Sequence, residues 1–445
     1  MIYRTTDREV EETDGRLEFR VDGKVVFRMI DEHDSKGGGS YAYRPDELVV
    51  DDQWAGVEAN ADLIKKYVNL DDPKERFKGG AVYRVRRTKV LKTMDVPEIL
   101  EEILNNAHLQ PTDSDHSGEQ VAPLPVGPHL VFFAQYHGPP FGPGRPPRKL
   151  GRPLADLPDP QERQPGYQVK IGVIDTGVFR KHPWWDGKGR VVATAGDEEP
   201  NPDFDSGTGE RSVTSGHGTF IDGVILRCAP GATIVSRRVV GGAFGEFDES
   251  RLVTVLNELA DMEEPVDLVN VSFGAYAPKD RVPLLLNAFL KDRKDGKPVV
   301  VACACNHSTN EPLYPAAHPD VVGVGAVEDT GDRAGFSNYG RWVDTYARGV
   351  NLQSTFIRWR KADGSPDGPD GSPEGAEQGP WATWSGTSFA APRVCGMIAA
   401  AMRPNGHADP GIDVVTATNQ VLQRRRRPQD LGPLVEAAFV VPDPD

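Results

Sequence analysis

The 445-residue chain lacks several things, and each absence narrows its function. It has no run of about 20 apolar residues, the length a membrane-spanning helix needs. Its first residues, MIYRTTDREVEETDGRLEF, mix acids and bases, with no apolar core of roughly 7–15 residues of the kind a secretory signal carries. The expectation is a cytoplasmic protein that does not enter a membrane. Cysteine is scarce: Cys228, Cys303, Cys305 and Cys395 all sit in apolar or small-residue stretches, which suits reduced buried thiols and not a disulfide framework. Positive charge is also in short supply. A formal charge of −15 argues against a nucleic-acid binder, whose phosphate contacts need a cationic surface. The one basic run, Arg424 to Arg427, follows a helical stretch and suits the negative end of that helix's dipole. No tandem repeat with a period of 20 to 50 residues is present, so a solenoid or propeller is not indicated.

What is present implies more than one domain, because the length exceeds what one core usually organises. Residues 1–40 form a polar extension ending in KGGGS, with alternating apolar positions in LEFRVDGKVVFRM that predict a hairpin about Asp22-Gly23. Residues 41–136 read as a small α+β domain: strands at ELVV, AVYRVRR and HLVFFAQ, helices at ANADLIKKYV and VPEILEEIL. Residues 137–165 are dense in proline and glycine and read as a linker. From 166 to 410, apolar runs such as VKIGVID, LVNVSFG, PVVVACA and VVGVGAV alternate with helical stretches, the pattern of a doubly wound α/β domain with a mostly parallel sheet. Within it, the acidic, low-complexity segment 361–379 reads as a surface insertion. Residues 411–445 are assigned to a C-terminal helix and tail.

Serine-based hydrolysis of a peptide bond needs a base for the hydroxyl proton, an acid that fixes the base's tautomer, and donors for the oxyanion. Asp175 follows VKIGVI and emerges at a strand's carboxyl end, where open α/β sheets build their sites. His217 lies between glycines in SGHGTFIDGVI, at the start of an apolar helical pattern. Ser388 lies in SGTSFAAPRVCGMIAAAM, at the amino terminus of a long apolar helix that favours developing negative charge. Asn306, after PVVVACAC, is placed to donate a side-chain N–H to an oxyanion. Any one of these motifs alone would read as a turn, a cap or a satisfied core histidine.

Together, DTGV at Asp175, HGT at His217 and GTSFAAP around Ser388 resemble the three signatures of the subtilisin-like serine proteases, in the order Asp, His, Ser. His182-Pro183, VNVSFG, YPAAHPDVVGVGAV and FSNYG add to the resemblance, which covers about residues 165 to 405. It implies a subtilisin-like fold and an endopeptidase acting on extended polypeptide. By the same resemblance, Ser272, Phe273 and Gly274 form the strand edge that pairs with substrate backbone, and Cys303, Ala304 and Cys305 line the substrate pocket. Three departures stand out. Cys305 replaces the family's usual glycine before Asn306, which is expected to narrow the pocket. Phe220 follows HGT where a second histidine is common, and is expected to alter packing only. Cys303-Cys305-His307 offers three ligands and no fourth, so packed thiols are expected there and no metal site. The resemblance requires no cofactor, and no acidic loop matches the family's calcium sites, so calcium dependence stays open. The strand-helix-strand order of 41–136 resembles the family's inhibitory propeptide. That resemblance implies intramolecular inhibition, with cleavage within residues 136–165 freeing the enzyme; a permanent regulatory or partner-binding domain is the alternative. The other functional readings are a catalytically silent peptide-binding protein and an esterase or amidase. The second is disfavoured because Ser388 sits in S-G-T-S-F and not in a G-x-S-x-G elbow.

Overall fold

The computed structural model describes residues 3–4, 8–13, 16–30, 41–86, 88, 94–107, 125–133, 147–150, 154–157, 164–199, 215–240, 245–278, 281–357, 380–404 and 411–423. Most of the expected linker, the acidic insertion 361–379 and the Arg424–Arg427 run lie outside them. The chain divides into two compact units.

The first unit comprises residues 1–132, 247–256 and 275–292. Its sheet runs through β1 (Arg8–Thr13), β2 (Arg16–Val21), β3 (Lys24–Ile30) and β4 (Tyr41–Asp51), each antiparallel to the next. β5 (Glu75–Phe77) pairs with β6 (Gly80–Arg84), and β4 takes both β6 and β7 (Val126–Phe133). Asp22 and Gly23 turn β2 into β3 with φ of 49° and 74°, the paired left-handed conformation that a two-residue hairpin needs. Phe19 and Phe27 stack across the strands with ring centroids 4.2 Å apart. The division drawn from sequence between 1–40 and 41–136 does not appear in the sheet. β4 is 11 residues long, so its first residues take β3 (Met29 opposite Ala42) while its last take β6 (Val49 opposite Val82).

Two later stretches belong to this unit for polar as well as apolar reasons. The buried Glu249 carboxylate accepts the backbone N–H groups of Leu285 and Leu286, at 2.8 and 3.1 Å, at the start of helix Leu284–Asp292. Nε2 of His129 accepts the N–H of Ser250, and Arg44 pairs with Asp248 at 2.6 Å. Helix α1 (Val96–Asn106) starts on a capping box, with Asp95 and Glu98 bonding each other's backbone.

The second unit is built on a seven-stranded parallel sheet. Its strands are β8 (Lys170–Asp175), β9 (Val191–Val192), β10 (Thr233–Arg238), β11 (Leu268–Val271), β12 (Val299–Cys303), β13 (Val321–Val327) and β14 (Thr345–Arg348). In space the order is β9-β10-β8-β11-β12-β13-β14. The chain therefore leaves β8, returns beside it as β10, then crosses to its other side as β11. That reversal at β8 is the switch point at which α/β sheets open a crevice beyond the strand ends. Ile171, Val173, Ile234, Val301 and Val324 form one side of the core, packed with α2 (His217–Cys228) and α3 (Thr387–Met402). Each fully buried aliphatic side chain there contributes about 1.5–3 kcal/mol.

Candidate active site

Asp175 is the last residue of β8 and is fully buried. One carboxylate oxygen, Oδ1, accepts the N–H of Thr176 at 2.8 Å and lies 2.8 Å from Nδ1 of His217. His217 opens α2, also fully buried, and the local sequence explains how it gets there. Gly216 has φ of 84°, and a Cβ on it would lie 2.2 Å from the Phe356 ring. A Cβ on Gly218 would lie 2.2 Å from the Gly177 carbonyl. The glycines flanking His217 thus let the helix start come down onto the turn after Asp175. Trp384 meets the imidazole edge-on at 5.5 Å and Phe389 lies at 5.3 Å. Nε2 of His217 is buried and has no hydrogen-bond partner.

Ser388 stands in the first turn of α3, 2% exposed, and its neighbour Phe389 is the residue that packs on the imidazole. Its hydroxyl is not bonded to His217; it points to the Ser272 carbonyl at 3.4 Å and to the Cys303 thiol. Ser272 returns the contact by donating its own hydroxyl to the Ser388 carbonyl at 2.9 Å. Asn306 uses Oδ1 to accept both the N–H and the hydroxyl of Thr387, at 2.9 and 3.0 Å. Those two bonds fix the amide's orientation and leave Nδ2 as its donor.

The remaining expected residues surround this group. Phe273 is buried, and Gly274 exchanges two backbone hydrogen bonds with Phe133, at 3.2 and 3.4 Å. Cys303 and Ala304 are buried, while Cys305 is partly exposed with φ of 73°, the left-handed region glycine favours. Burial pushes the Cys303 thiol up to about 11 and the Cys305 thiol higher still. All four cysteines are free thiols. Among the described residues, no three His, Cys, Asp or Glu side chains are grouped to hold a metal ion, and no helix is long and apolar enough to cross a membrane. Phe220 is buried against Phe389 and Trp384.

Two contributors were not legible as such. Asn338, within FSNYG, accepts the N–H groups of His307 and Thr309 and donates its own N–H to the Cys305 carbonyl, holding the loop that carries Asn306. Glu199, buried at 5% exposure, binds the residues on either side of the Asp175–His217 pair. Its only sequence signal was an acid in AGDEEP, a segment with no apolar pattern.

The Subtilase family model (Peptidase S8) matches residues 166–422. The chain belongs to the subtilase family. This subtilase is 30% identical over 251 residues to the major intracellular serine protease of Bacillus subtilis (strain 168), a match covering 53% of this chain and 68% of that protein. It is likewise 30% identical over 245 residues to the thermophilic serine proteinase of Bacillus sp. (strain AK1), covering 52% of this chain and 51% of the other. Among solved structures, fervidolysin from Fervidobacterium pennivorans aligns with a TM-score of 0.52 at 20% identity, over 84% of this chain and 56% of that one, a likeness of fold. The subtilase fold expected from the motifs is therefore the fold observed, and the chain is a subtilisin-like serine protease.

Proposed function

We propose that this subtilase hydrolyses peptide bonds in extended polypeptide segments through Asp175, His217 and Ser388, with Asn306 donating to the oxyanion. The observation that carries this reading is the buried Asp175–His217 pair, whose free Nε2 lies in the aromatic packing shared with the start of α3. The Nδ1–H donated to Asp175 leaves Nε2 as the proton acceptor. On this reading the Ser388 side chain turns from the Ser272 carbonyl to aim its hydroxyl at that base. Attack of Oγ on the substrate carbonyl carbon forms the C–O bond as the proton passes to Nε2, and the carbonyl π electrons move to oxygen. Nδ2 of Asn306 supports that oxyanion. Collapse breaks the C–N bond, with the leaving amine taking the proton from His217; water then repeats the sequence to release the acid and restore Ser388. Without the Asn306 donor, turnover would fall about 100- to 1000-fold. The enzyme requires no cofactor in this scheme, and we place it in the cytoplasm.

The substrate backbone would pair with the edge at Gly274 as an added strand. In this structure Phe133 occupies that edge with both hydrogen bonds of the antiparallel pair. This supports a self-inhibited resting state, in which the chain leading into residues 136–165 crosses the substrate site.

A fluorophosphonate probe tests the triad, because the activated serine displaces fluoride from phosphorus. One label per chain, absent in Ser388→Ala, is the expected result. Equal labelling of both proteins would remove Ser388 from the mechanism, and no labelling of either would favour a silent peptide-binding protein.

A further inference from the structure

Glu199 is connected to the catalytic pair by an unusually complete set of donors. Its Oε1 accepts the Thr176 hydroxyl at 2.8 Å and the Gly216 N–H at 2.6 Å, and its Oε2 accepts the Thr219 hydroxyl at 2.6 Å. Thr176 immediately follows Asp175, and Gly216 immediately precedes His217. Both hydroxyls are themselves acceptors: Thr176 takes the N–H of Gly218 at 3.0 Å, and Thr219 takes the N–H of Phe179 at 2.8 Å. A hydroxyl that accepts on one side has its hydrogen free to donate on the other, so both hydrogens are aimed at Glu199. Three donors and no acceptor around one carboxyl define a site for the ionised form. The carboxylate also sits at the amino end of α2, where negative charge is favoured, and its own N–H is anchored to the Val178 carbonyl at 2.9 Å.

We propose that Glu199 is a positioning residue for the catalytic pair, its carboxylate locking the turn after Asp175 to the start of the helix that bears His217. The proposal rests on the triad reading above. It assigns to the segment between β9 and α2 a part in the chemistry that none of the three signature motifs contains.

The geometry gives a pH consequence. Burial pushes the Glu199 carboxyl up to about 7, and the neighbouring Asp175 adds to the rise, against the pull of the Thr219, Thr176 and Gly216 donors. The titratable groups facing it are Asp175 from β8, itself paired with His217, and Asp222 from α2; burial, Asp175 and Glu199 hold Asp222 well above the usual carboxylate range. A proton taken up by Glu199 places an O–H against one of three donors, so the brace loosens as pH falls through about 7.

The test is the second-order rate of fluorophosphonate labelling of the full chain across pH, with kcat and KM on a peptide substrate. Glu199→Gln keeps the shape but turns an N–H toward a donor. It should label about 100-fold more slowly, the cost of a small displacement of reacting groups, while KM stays within a few-fold and labelling still reaches one per chain. Its pH profile should also lose the contribution of the Glu199 proton near pH 7. Glu198→Gln, at the adjacent carboxylate that faces Arg180, should match wild type. Wild-type rate and pH profile in Glu199→Gln would overturn the proposal. If that variant does not fold, Thr219→Val and Thr219→Ser decide it: a roughly tenfold loss in the first that the second largely recovers supports the brace, and no loss in either overturns it. A wild-type chain that takes no label would defeat the triad reading itself, an outcome separate from all of these.

Discussion

His182 shows what a motif residue can do away from the chemistry. Its Nδ1 accepts the Trp184 N–H at 3.2 Å and its Nε2 donates to the Pro380 carbonyl at 3.2 Å, inside a box of Phe179, Trp184, Trp185 and Trp381. Burial lowers it to about 3, so the ring is neutral when folded. Its contribution to stability is present above the unfolded value near 6.5 and is lost as pH falls toward about 3. Between pH 6 and 4, urea unfolding should show the advantage of wild type over His182→Gln shrinking by about 1.4 kcal/mol per pH unit; a pH-independent difference would contradict a neutral buried ring. At this scale the sequence was informative wherever a residue's neighbours in the chain are its neighbours in space. Asp175, His217 and Ser388 could be singled out because glycines and small residues surround each of them. Glu199 could not, because its partners Thr176, Gly216 and Thr219 lie 23, 17 and 20 positions away and the contact exists only once β8 and α2 are docked.

Elements were the most legible level. The apolar runs VKIGVID, PVVVACA and VVGVGAV contain β8, β12 and β13, because strands covered on both faces leave no room for alternation. The helix read at VPEILEEIL is α1, yet what the residue before it does was hidden. Asp95 caps α1 and also receives the Tyr43 hydroxyl at 2.7 Å, Arg16 at 2.7 Å and Arg28 at 3.0 Å from three different strands of the same unit. Losing a cap costs about 1 kcal/mol, and leaving the buried Tyr43 hydroxyl unpaired, with Arg16 and Arg28 then held only by Glu98 and Glu18, adds about 1–3 kcal/mol. Asp95→Ala should therefore lower the melting transition of the first unit by several degrees with the fluorophosphonate labelling rate of the second unchanged. A drop no larger than that of an exposed cap would mean that Glu98 and Glu18 suffice to hold the arginines and that the Tyr43 hydroxyl finds another partner.

For the whole molecule, length and composition implied two bodies and the parallel sheet implied the larger one, but the assignment of residues to bodies followed chain order too closely. A reading along the chain assigns all of residues 166–410 to the protease domain, whereas residues 247–256 and 275–292 group with the first unit. No local pattern marks a helix as belonging to a distant sheet, since Glu249 serves Leu285 and Leu286 and His129 meets Ser250 only after the fold is made. A fragment ending at 132 should accordingly lack dispersed amide resonances, because it is missing two of its stretches; a well-dispersed spectrum would show that it closes alone.

That discontinuity changes what cutting the chain can achieve. On the proposal that cleavage between 136 and 165 frees the enzyme, hydrolysis would not release the first unit as a diffusible fragment, because the fragment would leave behind part of its own body. The nicked enzyme would run as two bands on a denaturing gel and elute as one particle, and rejoining its ends would be a matter of proximity, not of encounter. Restraint in such a molecule would be a tether that can be slackened without being thrown away, and the same two chains could return to rest without new synthesis.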